Sequence, residues 1–109
     1  MGRWGLEPWA NDSAADWFDA MFQLTGLATH VEQTLNLRLD EYSDEVRAAA
    51  HIVLMLAEHY TWPIESRQRC VELAITRLQE IVEEMADPNL ETAIQAEIDA
   101  LQLRSKRVE

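Results

Sequence analysis

The side chains able to do chemistry are few. His30, His51 and His59 are the only histidines, and Cys70 is the only cysteine. His51, Met55 and His59 stand at i, i+4 and i+8, so they drift around one side of a helix. A metal held there would need a carboxylate from another element. No His-Glu-x-x-His or Glu-x-x-His pair is present, the spacings that put two ligands on one helical face. The expectation is therefore no metal, with His51 and His59 at the margin of a core, bonded to a backbone carbonyl or to water.

Cys70 lies in Arg67-Gln68-Arg69-Cys70, where neighbouring cations could lower the thiol pKa. A cysteine nucleophile also needs a positioned base, and a lone helical cysteine is more often a small buried hydrophobe. Gly-rich phosphate loops, a nucleophile elbow, a zinc-type Cys/His set and an EF-hand loop are all missing from the sequence. These absences speak against an enzyme. No catalytic residue and no cofactor is assigned.

The carboxylates are the other candidates. Twenty acids against nine bases give a net charge of −11, which repels nucleic-acid phosphates and anionic lipid and attracts basic partners. From Leu78 to Leu103 the chain carries Glu80, Glu83, Glu84, Asp87, Glu91, Glu97 and Asp99 and no base. Such self-repulsion gives folding nothing obvious, so Glu80, Glu83, Glu84, Asp87 and Glu91 are the candidate docking face for a basic protein. The plainer reading is solubility, since charges on exposed helix faces are usually just solvated. Arg104, Lys106 and Arg107 reverse the sign at the end of the chain.

These groups must be positioned by a scaffold, and the sequence reads as one all-α domain over residues 1–109. A content of 48% hydrophobic residues suits a globular chain of 109 residues. Three glycines, three prolines and the scarcity of β-branched runs argue against sheet, while apolar positions recur at helical spacing. Five helices are predicted. The first starts at Asn11-Asp12, buries Ala14, Trp17, Phe18 and Met21, and stops at Gly26. The second runs from about Leu27 to Leu39 with Leu27, Val31, Thr34 and Leu35 on one face, and gives way at Asp40-Glu41-Tyr42.

Ser43 is the expected cap of the third, with Asp44 and Glu45 at its positive end. From Ala48 to Ala57 this helix is apolar nearly all round, which places it at the centre of the bundle, surrounded by the others. Trp62-Pro63 ends that segment. A fourth helix then runs to about Ala86 with Val71, Ala74, Leu78, Ile81, Val82 and Met85 inward. Asp87-Pro88 starts the fifth, which uses Leu90, Ile94, Ile98 and Leu101 and packs on the fourth as an antiparallel hairpin. Residues 104–109 are expected to fray. No run of about 20 apolar residues, the length needed to span a bilayer, occurs. With no secretory leader in sight and a single cysteine, the expected compartment is a reducing cytoplasm.

Three of the four tryptophans, Trp4, Trp9 and Trp17, fall within the first seventeen residues. Indole is too large and apolar to leave in a disordered leader, so residues 1–12 read as a clasp folded onto the helical body. Trp4, Trp9 and Trp62 either complete the core or line a groove for a ligand or partner. The same run, Met1-Gly2-x-Trp4-Gly5-x-x-Pro8-x-x-Asn11-Asp12-x-Ala14-x-Asp16-Trp17, resembles the opening of the DUF4259 family, small and mostly bacterial proteins of unknown function. Leu39-Asp40-Glu41-Tyr42 and Tyr60-x-Trp62-Pro63 agree with it less specifically. The resemblance implies a bacterial cytoplasmic protein and supplies no activity.

The expected function is a non-enzymatic interaction module that binds a basic protein, with an immunity- or antitoxin-like role by analogy of size and charge. The alternative is a small-molecule or metal-binding module using the Trp clasp or the His51/His59 face. Homodimerisation is left open by an apolar stripe on the fourth or fifth helix.

Overall fold

Asn11 opens the first helix as the sequence predicts. Its backbone is extended, and its side-chain oxygen accepts the Ala14 N–H at 2.8 Å, satisfying one of the orphan donors of α1, Asp12–Thr25. Gly26 ends α1 in left-handed backbone, φ 64°, with its N–H donating to Phe22 O at 3.0 Å. A Cβ built there would meet nothing within 4 Å, so conformation rather than space demands glycine. The same residue leads into α2, Leu27–Leu35. The remaining helices are α3, Leu39–Leu56, α4, Ile64–Met85, and α5, Pro88–Lys106. This computed structural model describes residues 5, 6, 8, 11–57, 61–85 and 87–106, the side chains of residues 85 and 106 excepted. Among them there are five helices and no strand: the chain is an all-α bundle.

α2 stops four residues earlier than its periodicity suggests. Asn36 and Leu37 donate to Gln33 and Thr34 in tight i→i−3 bonds, and the Asn36 amide nitrogen donates to Glu32 O at 2.9 Å, so the final turn is drawn closed. α3 begins at Leu39 instead of Ser43. Arg38, extended at its N-cap, reaches forward to Asp40 (3.1 and 2.6 Å), while Asp40 and Glu41 lie in a first turn that favours negative charge. The expected break survives only as a kink at Tyr42, whose φ −130°, ψ 25° is not helical.

Two further expectations change. In α1 the stripe is turned: Phe22 is buried, Ala14, Phe18 and Met21 are half-buried, and Trp17 is 62% exposed. α3 is not fully wrapped either. Val46, Ala49, Ala50 and Val53 are buried, but Ala48, His51 and Met55 face solvent, and Ile52, Leu54 and Leu56 are half-buried. The centre is shared with α4, which packs on both α3 and α5. α4 places Val71, Ala74, Leu78 and Ile81 in the core, and α5 adds Ile94, Ile98 and Leu101, as their spacing predicts. Asp87 caps α5 through Leu90 N–H at 2.8 Å. Helix runs through Lys106, and residues 107–109 lie outside the described residues. The side-chain expectation for Met85 lies outside them too. Of the proposed clasp, residues 1–4, 7, 9 and 10 lie outside them, and Leu6 is exposed.

Candidate functional site

Every arginine side chain that the structure describes is engaged within the chain. Arg67, in the first turns of α4, is buried; its Nε donates to Ala57 O, the C-cap of α3, at 2.9 Å and its Nη2 to Arg104 O at 3.1 Å. Arg104, in the last turn of α5, donates through Nε (3.0 Å) and Nη2 (2.7 Å) to Leu54 O in the last turn of α3. Two cations thus meet the negative ends of two helices. Arg69 grips Glu32 of α2 with two bonds, 2.7 and 3.0 Å, which hold that carboxyl below its usual range and raise the guanidinium. Arg47 of α3 grips Glu97 of α5 in the same bidentate way. Arg77 joins Glu80 to the Leu37 carbonyl, and Arg38 holds Asp40.

The acidic hairpin is therefore not the unrelieved stripe its sequence suggests. Of its candidate residues, Glu80 is paired with Arg77 and Asp87 caps α5. Glu91 lies in the first turn of α5, where the helix dipole favours it. Glu83 and Glu84 are exposed and carry no ion pair or hydrogen bond to another described residue. Arg77 stands just before the 78–103 window, at i,i+3 to Glu80, whereas the cation answering Glu97 is fifty residues away and no linear charge count reveals it.

Trp62 lies in the hydrophobic core. It is 2% exposed, packs against Phe22 at a centroid distance of 5.0 Å, and donates its indole N–H to Ser66 Oγ at 3.1 Å. Trp4 and Trp9 lie outside the described residues. Cys70 is fully buried beneath this cluster, and desolvation raises its pKa, helped by the charge of Glu32 and outweighing the lowering effect of Arg69. The activation that its flanking arginines suggested is thereby reversed: Arg67 points to helix ends and Arg69 to Glu32.

His51 lines an open cleft of about 390 Å³ with Asp44, Arg47, Ala48 and Glu97. Arg47 and Glu97, two of its charged side chains, are paired with each other. Among the described residues no group of three His, Cys, Asp or Glu side chains could hold a metal ion, and His59 lies outside them.

One surface was missed at the sequence level. Between Arg3 and Arg38 the chain has no lysine or arginine, and α1 carries Asp12, Asp16 and Asp19. On this helix Trp17 and Leu24 are 62% and 87% exposed. The signal was present in the first helix, whose apolar positions cover more than half its circumference, too wide for one packing partner. No helix among the described residues is long and apolar enough to cross a membrane. Comparison with family models, with curated proteins and with solved structures finds no match to this chain.

Proposed function

We propose that this protein is a non-enzymatic interaction module that binds a basic protein partner through its acidic exterior. The observation that supports this reading is the internal engagement of the six described arginine side chains, Arg38, Arg47, Arg67, Arg69, Arg77 and Arg104. Four of them pair with Asp40, Glu97, Glu32 and Glu80, and two cap helix ends. Asp16, Asp19, Glu45, Glu83 and Glu84 form no ion pair with a cation of the described residues, and they set the sign of the field that a partner meets. An immunity- or antitoxin-like role in a bacterial cytoplasm fits this reading, as does membership of the DUF4259 family on the N-terminal run. Among the described residues, solvent-exposed imidazole, a buried and poorly acidic thiol, and an open cleft whose arginine and glutamate are paired with each other offer little for nucleophilic or acid–base work.

The test is affinity capture on the immobilised protein at low salt, identification of what elutes with rising salt, and measurement of Kd with the purified partner. The expected partner is basic, and its affinity falls as salt screens the charges. A neutral or acidic partner whose affinity is indifferent to salt contradicts the proposal, as does the absence of any partner.

A further inference from the structure

The outward face of α1 is built differently from the rest of the surface. Trp17, Ala20 and Leu24 fall at i, i+3 and i+7, the spacing by which one helix presents anchors to another, and all three are exposed. Phe18, against which the Trp17 ring stands edge-on at 5.3 Å, and Phe22 turn the other way, toward the bundle. Of the other helices α1 packs chiefly on α2, so much of its apolar arc is left uncovered. Asp16, one turn from Ala20, borders this stripe on one side and carries no ion pair among the described residues, whereas Asp19 stands on another side of the helix. An exposed tryptophan is the residue type most often found at the energetic centre of an interface, and lysine-rich partners are the ones such a border selects.

We infer that this face docks a basic amphipathic helix of the partner protein, its apolar side laid along Trp17, Ala20 and Leu24 and a bordering lysine or arginine meeting Asp16. The inference rests on the proposed binding of a basic partner and assigns the place on the molecule where it happens. A second copy of the chain is a poor occupant, because two chains each of net charge −11 repel one another.

The test uses the full chain and, as probe, a synthetic amphipathic helical peptide with leucine on one face and lysine on the other. Its binding is followed by the indole N–H signals in a ¹⁵N spectrum, with that of Trp17 assigned by its disappearance in Trp17→Phe. The Trp17 signal shifts on titration and the Trp62 signal does not. Trp17→Ala and Leu24→Ser each weaken binding about tenfold or more, and both melt like the parent because neither side chain is in the core. The pair Glu83→Gln with Glu84→Gln leaves affinity within about threefold. If instead the glutamine pair abolishes binding while Trp17→Ala leaves it intact, the docking face is the α4–α5 hairpin; the inference falls and the charge-led reading stands. A wild-type protein that is dimeric in sedimentation and becomes monomeric in Trp17→Ala also overturns it, since a second copy then occupies the face. Failure of the wild type to bind the peptide at low salt overturns it too, and a basic partner recovered by affinity capture would then show that only the location was wrong.

Discussion

The Nε of Arg67 donates to the carbonyl oxygen of Ala57 at 2.9 Å, from a side chain only 6% exposed. Through its other arm, which reaches Arg104 O, this one residue of α4 joins the end of α3 to the end of α5. Helix C-termini leave carbonyls without partners, and a buried guanidinium supplies donors in a rigid fork.

Replacing Arg67 should therefore be costly out of proportion to a surface substitution. Arg67→Met is expected to lose about 2–4 kcal/mol of unfolding free energy, since the buried carbonyl of Ala57 and the part-buried one of Arg104 both lose this donor. Arg67→Lys recovers little, because a single ammonium on a flexible stem does not present the guanidinium's fork. Urea denaturation followed by circular dichroism checks both; a loss below about 0.5 kcal/mol for the methionine variant would show that the ties do not hold the bundle.

Much of this arrangement was legible beforehand, and the boundary of what was legible has a physical cause. Asn11, Gly26 and Asp87 act on backbone groups within four residues, so their roles could be read from local sequence. The core positions of α4 and α5 followed from periodicity. Partners distant in sequence did not. Arg47 and Glu97 are fifty residues apart, Arg69 and Glu32 thirty-seven, and no linear pattern marks them. Indole usually sits in a core, which is what the spacing predicts for Trp17, but among the helices α1 packs on α2 alone and leaves it outside.

Cys70 provides a chemical check on the packing around Trp62. Its thiol is buried and pushed above its ordinary pKa, so the fraction present as thiolate near neutrality is small and access is blocked. Alkylation by iodoacetamide at pH 8 is expected to be at least about a hundredfold slower in the native protein than in urea. Comparable rates in the two states would mean that the cluster around Trp62 opens freely.

The Glu32–Arg69 pair predicts a specific pH dependence. Glu32 has its carboxyl pKa lowered in the folded protein, first through hydrogen bonding to Arg69, so its contribution is present above the ordinary value of 4.5 and is lost as the pH falls through the lowered one. The stability difference between wild type and Glu32→Gln should be largest near neutrality and close toward strong acid, where both side chains are uncharged. Thermal melts between pH 7 and pH 2 measure it; a difference that grows on acidification has the wrong sign.

The acidic hairpin residues should separate by role. Asp87→Ala removes the cap on Leu90 N–H and is expected to cost about 1 kcal/mol. Glu83→Gln and Glu84→Gln, which break no bond to a described residue, should leave stability unchanged or slightly raised by relief of repulsion. Chemical denaturation of the three variants distinguishes them, and a large loss at Glu83 or Glu84 would reveal a tie inside the fold.

The most direct test of an acidic exterior that meets a basic partner is the association rate constant measured by stopped flow across ionic strength. Steering by opposite charges predicts that this rate falls about tenfold or more between about 20 and 300 mM salt, while dissociation changes little. An association rate that stays flat over that range would contradict it.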